Sequence, residues 1–152
     1  MENISINPFE PEYIDFYLEI EKAVVSEPLR YDARRFMEII AREDVVSYSA
    51  QKDDEIVAYT IIQLALFEKS VNIIELNVAP KHQRQNVGTN LLNFIQKSAL
   101  HLNFPVISCQ IEKSNQVAHQ FLVNNGFEVK RSFEKFLNLD IPGLELTKTL
   151  VE

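Results

Sequence analysis

Residues 78–92 read VAPKHQRQNVGTNLL and predict a strand end, a short loop and the start of a helix. The apolar strand ends at Val78, Pro80 closes it, and apolar residues recur at helical spacing from Gly88 onward. A strand that passes through a short loop into a helix brings free N–H groups and the positive end of the helix dipole to one point. Such a point binds phosphate groups, so the stretch predicts an anion site.

Basic side chains gather at this loop although the chain is acidic overall. Lys81, His82 and Arg84 lie within four residues of one another, whereas the net charge of the chain is −7. The loop is too short for the phosphate loop Gly-x-x-x-x-Gly-Lys-Ser/Thr, and that string does not occur. A dinucleotide-binding glycine fingerprint is also absent. The predicted phosphate cradle therefore belongs to another type.

The chain on either side of this loop alternates between strand patterns and helix patterns. Strands are expected near residues 4–6 and at residues 45–50, 56–66, 71–78, 105–111, 127–133 and 144–151. Helices are expected at residues 11–24, 32–41, 88–102 and 115–125. Lys52, Asp53 and Asp54 separate two strands and predict an antiparallel hairpin. This order predicts one α/β domain over residues 1–152 with a mixed sheet.

Composition narrows the class of protein. The 152 residues suffice for one core, and 46% of them are hydrophobic, which is ordinary for a globular domain. No apolar run approaches the roughly 20 residues that span a bilayer. The net charge of −7 argues against binding to nucleic acid or to anionic membranes. Residues 1–7 lack a signal-peptide pattern, and a single cysteine, Cys109, argues for a reducing compartment, so a cytoplasmic protein is expected.

Glycine is rare in this chain. The three glycines are Gly88, Gly126 and Gly143, so each is expected to serve a position that needs its backbone freedom. Gly126 follows the predicted helix at residues 115–125, where a left-handed helix cap is expected.

The loop and its flanks resemble the signature of the GNAT superfamily of acetyl-CoA-dependent N-acetyltransferases. That signature is Gln/Arg-x-x-Gly-x-Gly/Ala, after a strand ending Leu-x-Val-x-Pro and before a leucine-rich helix. This chain has Leu76-x-Val78-x-Pro80, then Gln83-x-x-Asn86-x-Gly88. It departs at Asn86, where the family usually has glycine, but asparagine tolerates positive φ better than other side chains.

A second segment is similar to another element of the same family. Asn115-x-x-Ala118-x-x-Phe121, followed by Gly126 and Phe127, resembles the helix that packs beside the pantetheine arm of coenzyme A. In that family the asparagine contacts the cofactor.

The resemblance implies a mixed, mostly antiparallel sheet flanked by helices on both faces, with acetyl-CoA as cosubstrate and no metal. The strand ending at Val78 would splay from the strand at residues 106–111, and the pantetheine arm would lie in the gap. The implied cofactor-binding residues are Leu76, Asn77, Val78, Gln83, Arg84, Gln85, Asn86, Val87, Gly88, Thr89, Asn115 and Phe121. The acceptor would be a small-molecule or peptide amine. Members of the family often form homodimers, and the sequence leaves the oligomeric state open.

Glu75 is the candidate for activating the amine. An alkylamine is mostly protonated at neutral pH and must lose a proton before it attacks the thioester. Glu75 interrupts an apolar strand, and simple alternation places it opposite Ile74, Leu76 and Val78, unless a bulge changes the phase. The alternative is a carboxylate paired to a nearby lysine or arginine at the sheet face.

Leu122 stands where the family usually has a tyrosine that protonates the leaving thiolate. Three explanations stay open: Tyr48 or Tyr59 substitutes, the thiolate leaves unassisted, or catalysis has been lost. The third explanation would make the protein a non-catalytic acyl-CoA-binding or regulatory module.

For the remaining candidate functional residues, the sequence favours a structural role over a chemical one. His82 either contacts a phosphate or lies in solvent, and His101 and His119 lack partners at metal-ligand spacing. Cys109 falls in a predicted central strand, which favours a buried, inert thiol over a nucleophile.

Overall fold

Seven strands form one mixed sheet in the computed structural model, which describes residues 4–150. Their spatial order is β1-β2-β3-β4-β5-β7-β6. Within the described residues, only β4 and β5 pair in parallel; the other neighbours are antiparallel. The strands are β1 (Ile4–Pro8), β2 (Val45–Lys52), β3 (Glu55–Ala65), β4 (Ser70–Val78), β5 (Val106–Glu112), β6 (Glu128–Phe133) and β7 (Gly143–Thr149).

Four helices cover the two faces of the sheet. They are α1 (Ile14–Val24), α2 (Ala33–Ile40), α3 (Val87–His101) and α4 (Gln116–Asn124). The first two pack on one face through a cluster of Tyr17, Ile20, Phe36, Ile39, Val45, Ile56, Tyr59 and Ile61. The last two pack on the other face, where the core includes Ile73, Leu92, Ile95, Ile107, Leu122, Phe127 and Leu146. The expected sheet with helices on both faces is confirmed.

The predicted elements agree with the observed ones, apart from their ends. The first helix begins at Ile14, because Pro11–Tyr13 forms a tighter 3₁₀ turn of the kind that often precedes an α-helix. The third helix begins one residue earlier than predicted, at Val87. The last strand ends at Thr149, and predicted strand residue 151 lies outside the described residues.

The predicted hairpin between β2 and β3 is confirmed. Lys52 pairs with Glu55 across a two-residue turn. Asp53 and Asp54 have φ values of 53° and 63°. Positive φ at both turn residues suits the right-handed twist of the flanking strands.

The parallel pairing of β4 with β5 ends partway along both strands. Four residue pairs, from Ser70↔Val106 to Ile73↔Cys109, form the contact. Beyond them β4 continues to Val78 and β5 to Glu112 without pairing to each other. The two strands therefore splay, as the resemblance implies, and leave backbone groups of β4 open toward the gap.

A bulge in β4 changes the expected alternation at Glu75. Ile61 pairs with Glu75 and Ile62 pairs with Ile73, so Ile74 is the extra residue. Ile74 packs against the cluster beneath α1 and α2, which is also the face that Glu75 occupies. The prediction that Ile74 lies opposite Glu75 is therefore wrong, because the bulge shifts the phase by one residue.

Within residues 4–150, no helix is both long enough and apolar enough to span a bilayer.

Candidate functional site

Two left-handed residues shape the loop between β4 and α3. Arg84 and Asn86 both have φ of 64°, and Asn86 is the residue that precedes the first turn of α3. The positive φ expected at Asn86 is confirmed, whereas the one at Arg84 was not anticipated. Gln83 anchors the loop, since its Nε2 donates to the Val78 carbonyl over 3.0 Å.

Free N–H groups point out of the first turn of α3. Asn90 makes the first helical hydrogen bond, to the Asn86 carbonyl at 2.9 Å. The N–H groups of Val87, Gly88 and Thr89 come before it and have no hydrogen-bond partner within residues 4–150. These three donors, with the positive end of a 15-residue helix behind them, fit a phosphate group.

The basic side chains at this loop differ in availability. Lys81 makes an ion pair with Glu55 at 3.1 Å. His82 Nδ1 lies 3.4 Å from Gln85 Oε1, and its Nε2 is buried without a partner among the described residues. Arg84 is exposed and makes no ion pair in the described part of the chain. Arg84 is thus the cation that can turn toward a bound phosphate.

Gly88 lies close to neighbouring side chains and does not adopt an unusual backbone conformation. Its φ is not positive, which corrects the expectation from glycine scarcity. A Cβ there would lie 3.4 Å from the Phe121 ring and 3.6 Å from Val78 Cγ2. A Cβ at this position would thus pack directly against side chains of α4 and β4. Gly126 does use its freedom, with a φ of +90°.

A cleft of about 360 Å³ opens where β4 and β5 splay. Its floor includes Glu75, Leu76 and Asn77 from β4, and α4 contributes the Phe121 side chain. Asn115 also lines it, with its Oδ1 accepting from the Ala118 N–H at 3.0 Å and so capping α4. Five of the residues singled out from the sequence, Glu75, Leu76, Asn77, Asn115 and Phe121, therefore line one cleft, whereas residues 83–89 of the loop are not part of its lining.

A buried acid pair lies beside this cleft. Glu21, from α1, is 1% exposed and accepts a hydrogen bond of 2.6 Å from the Tyr59 hydroxyl. The same hydroxyl lies 3.3 Å from Glu75 Oε1 and accepts from Asn77 Nδ2 at 3.0 Å. The backbone N–H of Tyr31 donates to Glu21 Oε2 over 2.7 Å. Two carboxylates and a hydroxyl thus form one hydrogen-bonded cluster.

The environment of Glu75 favours its neutral form. Burial raises the pKa of the Glu75 carboxyl well above its ordinary value, and hydrogen bonding and charge repulsion from Glu21 raise it further. Burial is also the main cause of a raised Tyr59 pKa. Glu21 instead receives short hydrogen bonds from two donors, so we assign the negative charge of the pair mainly to Glu21.

Glu21 and Tyr31 were missed by reasoning from sequence. Glu21 follows Ile20 in the first predicted helix, and a charged helix residue is usually exposed. Tyr31 lies in a connection between helices, lines the cleft, and has its pKa raised to about 12 by burial. The one signal that could have exposed Glu21 is its place within an otherwise apolar stripe.

The structure shows where Leu122 and the two tyrosines proposed to replace the usual acid lie. Leu122 is buried in the core at 4% exposure and lines the cleft. Tyr48 packs its ring edge against Phe94 of α3, and Tyr59 is held by Glu21. Neither tyrosine lines the cleft.

The thiol of Cys109 lies at the last residue pair of the β4–β5 contact. Burial raises its pKa to about 12, so the thiolate is disfavoured. Within residues 4–150, no three histidine, cysteine, aspartate or glutamate side chains come together in a way that could hold a metal ion.

The splayed β4–β5 pair, the free helix N-terminus near its end and the acid beside the gap are the arrangement that the resemblance implies. The family model described as Acetyltransferase (GNAT) family matches residues 10–127. The chain therefore belongs to the GNAT acetyltransferase family.

Solved structures share the fold over nearly the whole chain. The ribosomal-protein-S18-alanine N-acetyltransferase from Escherichia coli superposes with a TM-score of 0.83 at 15% identity, covering 99% of this chain and 96% of its own. Ard1 from Thermoplasma volcanium has a TM-score of 0.85 at 15% identity, covering 98% and 99%. The PaiA N-acetyltransferase from Thermoplasma acidophilum, in complex with coenzyme A, has a TM-score of 0.80 at 16% identity, covering 97% and 99%. A search of curated protein sequences returned no significant match.

Proposed function

We propose that this protein transfers an acetyl group from acetyl-CoA to a primary amine by direct attack, in the cytoplasm. The observation that carries the proposal is the position of Glu75, beside the gap between β4 and β5 and on the strand that leads into the phosphate-type loop. Acetyl-CoA supplies the thioester: the amine nitrogen forms a bond to the acetyl carbon as the carbon–sulfur bond breaks.

The cofactor-binding half of the site follows from open backbone groups. The N–H groups of Val87, Gly88 and Thr89 would hold the pyrophosphate, with Arg84 as an additional cation. The open edge of β4 would hydrogen-bond the pantetheine amides. The residues assigned to cofactor binding are Leu76, Asn77, Val78, Gln83, Arg84, Gln85, Asn86, Val87, Gly88, Thr89, Asn115 and Phe121.

Glu75 would remove the proton from the attacking amine. Its neighbour Glu21 gives the cluster a negative charge, which attracts an ammonium group into the cleft. A nearby cation lowers the pKa of a carboxyl group, so the arriving ammonium favours ionised Glu75. Ionised Glu75 can then accept the amine proton. Direct attack needs no nucleophile from the protein, and burial raises the pKa of the Cys109 thiol, which disfavours an acyl-enzyme on that residue.

The leaving thiolate would depart without a proton from the position of Leu122 or from Tyr59. Leu122 offers no proton, and Tyr59 is committed to Glu21. An alkyl thiol has a pKa of about 8.5, so its thiolate is a tolerable leaving group near neutral pH.

One observation favours a second candidate function. The buried Leu122 in place of a tyrosine is consistent with an acyl-CoA-binding or regulatory module that does not turn over. The two candidates share the cofactor site and differ only in chemistry.

Turnover separates these candidates. Incubation with acetyl-CoA and a panel of primary amines, followed by a free-thiol assay, should show amine-dependent thiol release. Gly88→Glu should abolish coenzyme A binding in calorimetry, because a carboxylate would meet the pyrophosphate at the mouth of α3. Asn90→Glu, which adds the same charge at an exposed position of the same helix turn, is the matched control and should retain most affinity. Unchanged coenzyme A affinity in Gly88→Glu would refute the proposed cofactor site. Coenzyme A binding without turnover of any amine would support the non-catalytic binding module.

A further inference from the structure

We propose that the acceptor is a primary amine carried on an apolar arm, with no carboxylate next to the amine. This inference rests on the proposed function, since it names the class of substrate that the same site takes.

Part of the cleft lining is apolar. Val25 and Leu29 line the cleft from the segment between α1 and α2, and Phe136 and Leu137 line it from the connection between β6 and β7. A second cavity of about 230 Å³ adjoins the cleft and shares Phe136 and Leu137 with it. An arm that extends from the reacting nitrogen would therefore pass between aliphatic and aromatic side chains.

Positive charge is missing from both linings. Within residues 4–150, no lysine, arginine or histidine lines either cavity, whereas Glu75, Glu112 and Glu145 do. Glu145 is paired with Arg131 at 2.8 Å, which leaves Glu75 and Glu112 without a cation. The two linings thus combine apolar and uncharged polar side chains with negative ones and contain no positive one.

Two nearby cations lie outside the two linings. Arg30 follows the α1–α2 segment, but its Nε donates to the Val25 carbonyl at 2.7 Å. Lys135 precedes Phe136, but it lies 3.8 Å from Asp140. Neither side chain lines either cavity, so neither is placed to hold an anionic substituent of the acceptor.

This charge arrangement discriminates between amines and amino acids. An ammonium group finds Glu75 and the charge of Glu21. A carboxylate attached to the neighbouring carbon would enter the same region, lose part of its hydration and find acidic but no basic side chains among the lining residues. The site therefore rejects zwitterions by repulsion, not merely by lack of contact.

The backbone at Leu137 supports a role in contacting the acceptor arm. Leu137 has φ of 54° and ψ of 38°, a left-handed conformation that is rare for a leucine. Its side chain is 51% exposed although it lines both cavities. Strained conformations persist where the surroundings enforce them and cluster at ligand sites. We assign Leu137 to the wall that covers the apolar arm.

The test compares acceptors that share a phenylalanine-like arm and differ in charge, and it adds spermidine, which lacks that arm. Phenethylamine and phenylalaninol lack a carboxylate, phenylalanine carries one, Phe-Ala-Ala amide presents a peptide N-terminus, and spermidine is a polycation without an apolar arm. With acetyl-CoA and the wild-type chain, kcat/KM for phenylalaninol should exceed that for phenylalanine by at least roughly 100-fold, since like-charge contact costs several kcal/mol. The ratio of kcat/KM for the peptide amide to kcat/KM for phenethylamine shows whether a peptide or a small amine is the better acceptor.

A variant that introduces a positive charge tests whether the charge of the lining causes the preference for phenylalaninol over phenylalanine. Leu137→Arg places a cation at an exposed position of the wall and should narrow the gap between phenylalaninol and phenylalanine by tenfold or more. Val129→Arg, at an exposed position on β6 that lines neither cavity, is the matched control and should leave the gap unchanged.

Binding measurements keep this inference separate from the proposed function. Calorimetric titration of phenylalaninol and phenylalanine into the chain saturated with coenzyme A reports the same preference even where no thiol is released. Equal or better use of phenylalanine, in turnover or in binding, would overturn the inference. A preference for spermidine over phenethylamine would overturn the apolar arm. Absence of turnover with a retained binding preference would overturn the proposed function alone.

Discussion

Glu21 and Glu75 lie on two different elements and share one tyrosine hydroxyl. Tyr59 donates to Glu21 at 2.6 Å and lies 3.3 Å from Glu75. If Glu75 is protonated, its own O–H can donate to Tyr59, which completes a chain that ends on ionised Glu21. This arrangement avoids two adjacent buried charges, which would be costly in a region of low dielectric. Glu21 is therefore a positioning residue, since it sets the protonation of Glu75 without touching the amine.

Glu21→Gln should shift the pH dependence of turnover toward lower pH. Glu75 accepts a proton only when ionised, so kcat/KM should rise with pH through the raised pKa of Glu75. Glu21 contributes to that raised pKa through hydrogen bonding and charge, and a neutral glutamine removes the charge. The acid limb of the plot of kcat/KM against pH should therefore move to lower pH. Thiol release measured over a range of pH values checks this shift.

The control for this shift is Glu19→Gln. Glu19 is exposed on the same helix, so its substitution changes the net charge equally without touching Glu75. The Glu19 variant should keep the wild-type acid limb. An unmoved acid limb in Glu21→Gln, in a variant that folds and binds coenzyme A normally, would show that Glu21 plays no part in setting the pKa of Glu75.

At the scale of the element, the loop before α3 owes its shape to two residues in the left-handed region. Asn86 ends the loop, and its φ of 64° turns the chain so that the N–H groups of the next three residues face outward. Asparagine adopts this conformation more readily than other side chains apart from glycine. The departure from the family signature is thus a change of residue that keeps the backbone geometry.

Asn86→Val should weaken coenzyme A binding, whereas Asn86→Gly should not. A β-branched residue in the left-handed region costs roughly 1–2 kcal/mol, and the loop would relax away from the phosphate-binding shape. That cost corresponds to an affinity loss of roughly 5–30-fold. Calorimetry with coenzyme A measures it, and Asn86→Gly serves as the matched control because glycine adopts the same φ freely. Equal affinities in the two variants would mean that the left-handed turn does not shape the cofactor site.

Elements were predictable from sequence because their signals are local. Residues 78–92 contain strand, proline, loop and helix signals in order, and the structure reproduces them from Val78 to α3. The cluster around Glu75 was not predictable in full, because Glu21 is 54 positions away and joins it only through packing of α1 on the sheet. The bulge at Ile74 and the tight contact of Gly88 with Phe121 likewise depend on neighbouring strands and helices, not on local propensity.

At the scale of the molecule, a short seam joins two parts of the sheet. Strands β1 to β4 form one part, β5 to β7 form the other, and four parallel residue pairs connect them. The core on the α3–α4 side continues past the last of these pairs, since it contains Ile111 from β5 and packs against Leu76 from β4. Packing therefore holds the parts together where hydrogen bonds end, and the gap stays open for a ligand.

Coenzyme A should stabilise the whole chain by filling this gap. A ligand that binds only the folded state stabilises it by about 2.7 kcal/mol at a hundredfold excess over Kd. In a domain of this size each kcal/mol raises Tm by roughly 2–4 °C, so a rise of roughly 5–10 °C is expected in a thermal-shift assay. Hydrogen exchange should slow most at the unpaired part of β4 and at the first turn of α3, where bound ligand would take the free N–H groups. Adenosine alone is the control, because it lacks the pyrophosphate and pantetheine and should produce a much smaller rise. A rise in Tm with protection confined to other parts of the sheet would place the ligand outside the β4–β5 gap.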